Sequence, residues 1–142
     1  MEDYVRRLIR CINRIDGKYY DFARESSVGE NEIALLYSLL DGGEHSQKSI
    51  CEEWLIPKTT VNTLVRKLMG EGLVKVTSLS GREKLLMLTD EGRAHAEKVL
   101  APMRRAELQA MAKTVESFSP QFVDALEKFA DYFIGYGDKK GD

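Results

Sequence analysis

Apolar residues recur every three or four positions over long stretches of the chain, which is the spacing of a helix with one buried face. Two short β-rich runs, 73–78 and 84–88, interrupt this pattern. The polar segment Ser80-Gly81-Arg82-Glu83 lies between them and is typical of a hairpin tip. The fold class predicted is mainly α with a small β-hairpin. The predicted helices cover about 3–24, 30–40, 47–55, 58–69 and 90–115, with a last helix opened by Ser119 and Pro120.

Three residues mark helix boundaries in the middle of the chain. Ser46 is a good N-cap for the third helix, and Thr89 is a good N-cap for the long fifth helix. Pro57 ends the third helix and suits the first turn of the fourth. The residues of these two short helices expected to face inward are Ile50, Cys51, Trp54, Leu55, Val61, Leu64, Val65, Leu68 and Met69.

The fourth helix has a polar face that the core leaves free. Its short side chains, those of Thr59, Thr60, Asn62 and Thr63, suit the edges of DNA bases, and an Asn can pair with adenine. Its long side chains, those of Lys58, Arg66 and Lys67, can reach phosphates or guanine. Taken alone, such a polar face is equally consistent with an ordinary solvent-exposed surface that binds nothing. The hairpin that follows favours DNA, because helix, turn, helix and hairpin is the order of a winged helix-turn-helix.

The charge of the chain is unevenly distributed. The formal net charge is −2, yet residues 46–84 carry seven basic residues against four acidic ones, a local charge of +3 that leaves −5 elsewhere. A basic middle between acidic flanks is typical of a DNA-reading module on a separate scaffold. The sequence has no signal-peptide pattern at its start and no apolar run near the ~20 residues that span a bilayer, so we expect a cytoplasmic protein.

The segment 46–92 resembles the MarR family, the multiple-antibiotic-resistance regulators of bacteria. The motifs that carry the resemblance are Gln47-Lys48, Lys58-Thr59-Thr60-Val61, Glu71-Gly72-Leu73-Val74 and Leu88-Thr89-Asp90-Glu91-Gly92. The resemblance implies a sequence-specific transcription regulator, more often a repressor. It places Ser46, Gln47 and Lys48 on phosphates and Arg82 of the wing in the minor groove. Lys84, which follows the wing tip, is also predicted to bind DNA. The wing departs from the family at Ser80, where an Asp is usual.

The two ends of the chain are expected to form a dimer interface. Residues 1–29 and 93–142 are predicted dimerisation helices, and residues 30–92 a winged helix-turn-helix. Apolar faces this large usually mark an interface. In similar proteins two subunits interlock there and read a pseudopalindrome, so we expect a homodimer on double-stranded DNA. A monomer that covers both helices itself is the alternative.

The resemblance also implies an effector site between the dimer helices and the winged domain, often for small aromatic or phenolic anions. The residues that could line it, or equally serve as ordinary packing, are Arg14, Tyr19, Tyr20, Phe22 and Tyr37. Some relatives carry a peroxide-sensing Cys where this chain has Cys11, although its place on the apolar stripe favours buried packing.

Other chemistry has little support in the sequence. His45 and His95 are far apart and no clustered ligands accompany them, so neither a metal site nor a cofactor is predicted. No phosphate-binding loop, nucleophile elbow or carboxylate pair indicates an enzyme. The alternative to a DNA-binding regulator is a winged-helix module that binds protein, although such a surface favours exposed aromatic residues.

Overall fold

A computed structural model describes residues 1–80 and 83–137, and these contain six helices and three strands. The elements are α1 (Glu2–Glu25), α2 (Glu30–Leu39), β1 (His45–Ser46), α3 (Gln47–Trp54), α4 (Lys58–Gly70), β2 (Val74–Ser80), β3 (Glu83–Leu88), α5 (Asp90–Phe118) and α6 (Gln121–Ile134). This confirms the predicted fold class. None of the described helices is both long and apolar enough to cross a membrane.

Two compact units divide the chain, one formed by Met1–Met103 and the other by the residues from Arg104 onward. The core of the first unit is made by α2, α3, α4, the sheet and the first turns of α5. Its largest fully buried side chains are Leu35, Leu36, Leu39, Ile50, Val61, Leu68, Leu86 and Leu100. In the second unit, α6 has no buried residue, and Phe129 stacks on Phe133 with ring centroids 6.0 Å apart.

The sheet is antiparallel, with the strand order β1-β3-β2. The hairpin of β2 and β3 was expected, but β1 was not. Residues His45 and Ser46 of β1 pair with Leu86 and Leu85 of β3. The Ser46 side chain then accepts a hydrogen bond from the backbone N–H of Ser49 at 3.0 Å, which confirms it as the N-cap of α3. The start of α3 is therefore attached to the base of the wing.

A turn held by side-chain hydrogen bonds precedes β1. His45 Nε2 lies 2.8 Å from Asp41 Oδ1, and the backbone N–H of Gly43 donates to the same oxygen at 2.8 Å. The hydrogen bond with His45 lowers the pKa of Asp41, and the bond from Gly43 acts in the same direction. This arrangement fixes the path of the chain from α2 into the sheet.

The segment Leu88 to Gly92 attaches the start of α5 to the turn before β2. Thr89 donates its hydroxyl to the carbonyl of Gly72 at 2.6 Å and accepts the backbone N–H of Gly92 at 2.9 Å, which confirms it as a helix cap. The N–H of Thr89 donates to the carbonyl of Leu73 at 3.0 Å. Gly92 packs directly on that carbonyl, because a Cβ at residue 92 would lie 1.8 Å from the Leu73 oxygen.

Several residues expected inside the core lie outside it. Leu55 is 88% exposed, because it ends α3 in the left-handed conformation (φ 52°), and Ile56 occupies the buried position instead. Trp54 is partly exposed and meets Tyr37 edge to face, with ring centroids 5.7 Å apart. Met69 is also exposed, since it lies beyond the buried stripe of α4.

Candidate DNA interface

The outer face of α4 consists of short polar side chains and one arginine. Val61, Val65 and Leu68 are buried and fix the helix on the core. At about 100° per residue, Thr59, Thr63 and Arg66 then point away from the core, and all three are exposed. The Thr63 hydroxyl donates to the carbonyl of Thr59 at 3.0 Å, which leaves its oxygen free to accept from outside. The structure thus brings together the central part of the predicted reading face.

One flank of this face lies against α3. Asn62 is half-buried there, and the side-chain Nε2 of Gln47 donates a hydrogen bond to Asn62 Oδ1. Gln47 is the first residue of α3, directly after the N-cap Ser46. The amide of Asn62 therefore has a fixed partner on the neighbouring helix.

A groove of about 650 Å³ opens beside this pair, between α3, the start of α4 and β3. The basic residues that line it are Lys48, Lys58 and Lys84, and all three are exposed. Two carboxylates, Glu52 and Glu83, also line it, and Lys48 Nζ lies 4.0 Å from Glu52 Oε1. That contact joins two exposed side chains and holds them weakly. The groove therefore places three exposed lysine side chains at the edge of the predicted reading face.

The other flank of the face lies against α2 and carries Thr60 and Lys67. Lys67 Nζ lies 3.2 Å and 3.4 Å from the two carboxylate oxygens of Glu32, whose side chain is only 4% exposed. It also lies 3.9 Å from Glu71 Oε1. The sequence predicted that Lys67 contacts DNA, but in the structure its charge is paired with a buried carboxylate. Sequence periodicity gave no sign of this pair, because Glu32 reads as an ordinary acidic residue in the first turn of a helix.

The tip of the wing was expected to insert Arg82 into the minor groove. Arg82 and Gly81 lie outside the described residues, and so does the side chain of Ser80. The minor-groove role of Arg82 and the effect of Ser80 therefore stay predictions. The described part of the wing ends with Ser80 on β2 paired to Glu83 on β3.

A second cavity, of about 180 Å³, lies in the first unit between α1, α2 and α5. The residues lining it are Phe22, Glu25, Ser26, Ile33, Val99, Leu100, Pro102 and Met103. Of the residues considered for an effector site, Phe22 lines this cavity, whereas Arg14, Tyr19, Tyr20 and Tyr37 do not contribute to its described wall. Within the described residues, no group of three or more His, Cys, Asp or Glu side chains could hold a metal ion.

The thiol of Cys11 is exposed in the single chain, so the buried packing expected for it is not supplied by the chain's own core. The reason is that the apolar stripe of α1 has little of its own chain to pack on. Ile9 and Ile15 on the same helix are 43% and 54% exposed, and only Ala23 near its end is buried. Cys51, in contrast, is half-buried at the wall of the lysine-lined groove.

Helix α3, a tight turn at Leu55-Ile56-Pro57, helix α4 and an antiparallel hairpin together define a winged helix-turn-helix protein. Residues 27–83 match the model of the MarR family. The chain is similar to this family over those residues. No curated protein sequence matches it.

Solved structures agree over nearly the whole chain. The chain is similar to NMB1585, a MarR family regulator from Neisseria meningitidis, with 27% identity and a TM-score of 0.73 over 96% of this chain and 94% of that one. It is also similar to the MarR family transcriptional regulator SPO1453 from Silicibacter pomeroyi, with 21% identity and a TM-score of 0.69 over 89% and 91%. A third match is BpsR from Bordetella bronchiseptica, whose DNA binding is regulated by 6-hydroxynicotinic acid. Its identity is 22% and its TM-score 0.56, over 86% of this chain and 92% of BpsR.

Proposed function

We propose that this protein is a transcription regulator, a ligand-responsive repressor, that binds a specific DNA sequence as a homodimer. In this proposal residues 30–92 form the DNA-binding domain. Its α4 enters the major groove, with Thr59, Thr63 and Arg66 facing the base edges. The wing reaches the adjacent minor groove, where a narrow groove attracts an inserted Arg such as Arg82.

One observation carries the proposal. The exposed face of α4 combines short hydroxyl side chains with an arginine, and the adjoining groove adds Lys48, Lys58 and Lys84. Short donors and acceptors at the centre with long cations at the edge match the division between base contacts and phosphate contacts in DNA complexes. A surface for protein partners would instead concentrate aromatic side chains.

The test is binding to duplex DNA from the promoter region of the protein's own gene, measured by fluorescence anisotropy over a salt series. The affinity should fall steeply as salt rises, because phosphate contacts release counterions. Lys58→Met should flatten the slope of log K against log salt by about 1. The matched control is Lys98→Met, which removes an exposed charge from α5 and should leave the slope unchanged. Weak binding with no sequence preference would contradict the proposal and favour the protein-binding alternative.

Support for the homodimer comes from apolar faces that each unit leaves uncovered. In the first unit, Ile9 and Ile15 of α1 are exposed, and in the second, Phe133 and Ile134 of α6 are each 73% exposed. Monomeric proteins rarely expose contiguous apolar surface of this kind. We propose that residues 1–29 and 93–142 supply the interface, so that two copies present two reading faces to a pseudopalindromic site.

Sedimentation equilibrium at micromolar concentration tests the dimer. The expected species has twice the chain mass of 16.1 kDa. Ile134→Glu places a charge on the exposed face of α6 and should shift the population towards monomer, because a charge at an apolar interface is costly to bury. The control is Glu97→Gln on the exposed side of α5. A wild-type protein that sediments only as a monomer would contradict the proposal.

We also propose that a small aromatic compound binds the cavity of about 180 Å³ lined by Phe22, Ile33 and Met103. A dry apolar cavity of about 150 Å³ is large enough for benzene. Because the acidic residue Glu25 is among those that line the cavity, we expect a neutral phenol in preference to the anions that similar proteins often bind. Repeating the DNA titration with phenol and with benzoate checks this. Release by benzoate alone would contradict the preference, and release by neither would contradict this effector class.

A further inference from the structure

The hydrogen bond between Gln47 and Asn62 joins the two helices of the candidate DNA interface at their outer surface. Gln47 is held in place because β1 and the N-cap Ser46 fix the start of α3. Asn62 is held because Val61, its neighbour in α4, is 1% exposed and anchors the helix in the core. Both amides also line the groove that contains Lys48 and Lys58. The two side chains are thus presented as one fixed unit.

The bond determines which polar atoms of Asn62 remain free. An Asn amide has an acceptor oxygen and an NH₂ group with two donors. Here Asn62 Oδ1 accepts from Gln47 Nε2, so the free end of Asn62 is its NH₂ group. An Asn that pairs with adenine needs its oxygen for the adenine N6 amino group and its NH₂ for N7. That two-bond contact with adenine competes directly with the bond from Gln47.

We propose that Gln47 is a specificity-determining residue that makes Asn62 read guanine instead of adenine. This inference rests on the proposed function and reverses the simplest expectation for an Asn on a recognition helix. Guanine presents two acceptors in the major groove, O6 and N7, and these match the two N–H donors of Asn62. Where guanine has O6, adenine has an NH₂ group. This group is a donor, so it cannot accept a hydrogen bond from the NH₂ group of Asn62.

Selection from random duplex DNA, followed by sequencing of the bound fraction, tests the proposal with the full-length protein. Asn62→Ala first identifies the position that Asn62 reads, as the one whose base preference disappears. At that position the wild-type protein should prefer guanine. Gln47→Leu removes the bond and frees both ends of the Asn62 amide, so the ratio of guanine to adenine should fall about tenfold.

A second variant, Gln47→Glu, reverses the donor and acceptor roles in the hydrogen bond with Asn62. The carboxylate in Gln47→Glu can only accept, so Asn62 must donate its NH₂ group to it and turn Oδ1 outward. Preference should then move to bases that present an amino group, cytosine or adenine. This variant also keeps the test decisive if Gln47→Leu fails to fold, as judged by thermal denaturation. The control is Lys48→Met, which should weaken binding uniformly and leave base preferences unchanged, as expected for a phosphate contact.

The following results would overturn the inference. A wild-type preference for adenine at the Asn62 position would do so, as would a guanine preference that survives both Gln47 variants. If the wild-type protein enriches no sequence at all, the proposed function fails together with the inference. If it enriches a site that is insensitive to Gln47, only the role of Gln47 fails.

Discussion

Replacing Gly92 with alanine is expected to lower the free energy of unfolding by about 3 kcal/mol or more. The added Cβ would lie 1.8 Å from the carbonyl oxygen of Leu73 and 2.7 Å from its carbon. These are backbone atoms, so no side chain can rotate out of the way. The same oxygen accepts the N–H of Thr89 at 3.0 Å. Moving α5 away from Leu73 to make room therefore also breaks the hydrogen bonds that attach the helix to the wing.

Urea denaturation followed by circular dichroism measures this effect. The matched control is Gly70→Ala, because a Cβ at the last residue of α4 meets nothing within 4 Å. Alanine is favoured over glycine in helices, so this variant should be as stable as the wild type or more stable by up to about 1 kcal/mol. Both variants replace a glycine with alanine, but the predicted changes in the free energy of unfolding have opposite signs. Equal denaturation midpoints for Gly92→Ala and the wild type would refute the close packing of α5 on Leu73.

Lys67→Met is expected to reduce stability without changing the salt dependence of DNA binding. The substitution leaves the carboxylate of Glu32, which is 4% exposed, without its cation. Breaking a fully buried pair costs about 3–5 kcal/mol, but Lys67 is itself 52% exposed, so we expect about 1–2 kcal/mol. If the charge of Lys67 serves Glu32, the slope of log K against log salt stays at the wild-type value.

Two comparisons separate this structural role from a phosphate contact. The double variant Glu32→Gln with Lys67→Met removes both charges and should recover most of the stability, because no buried charge is left unpaired. Lys58→Met should lower the salt slope by about 1 and leave stability nearly unchanged, since Lys58 is exposed. If Lys67→Met flattens the salt slope as much as Lys58→Met does, Lys67 contacts DNA as the sequence first indicated.

Much of the fold could be predicted because its signals are local. Helical periodicity and the caps Ser46 and Thr89 depend on residues within a turn of each other, and both caps are confirmed. The two-residue strand β1 was missed, because two residues are too few to show an alternating pattern. Leu55 was wrongly placed in the core, since nothing in its apolar side chain indicates that the backbone there is left-handed.

The candidate site likewise has features that the sequence predicts and features that it does not. The exposure of Thr59, Thr63 and Arg66 follows from helical spacing and a known buried stripe. The pairing of Gln47 with Asn62 joins residues 15 positions apart, and that of Lys67 with Glu32 joins residues 35 positions apart. Such pairs depend on how helices pack against each other, which no window of sequence contains. Chemical type thus predicts which residues suit a DNA interface, but packing decides which of their polar atoms are still free to bind.

The short strand β1 has a mechanical consequence. It continues directly into α3, and it is hydrogen-bonded to β3, the strand that leads back from the wing tip. A force on the wing therefore reaches α3 directly, through the hydrogen bonds between β1 and β3. The wing and α3, which both line the groove that contains Lys48 and Lys84, are therefore expected to move together.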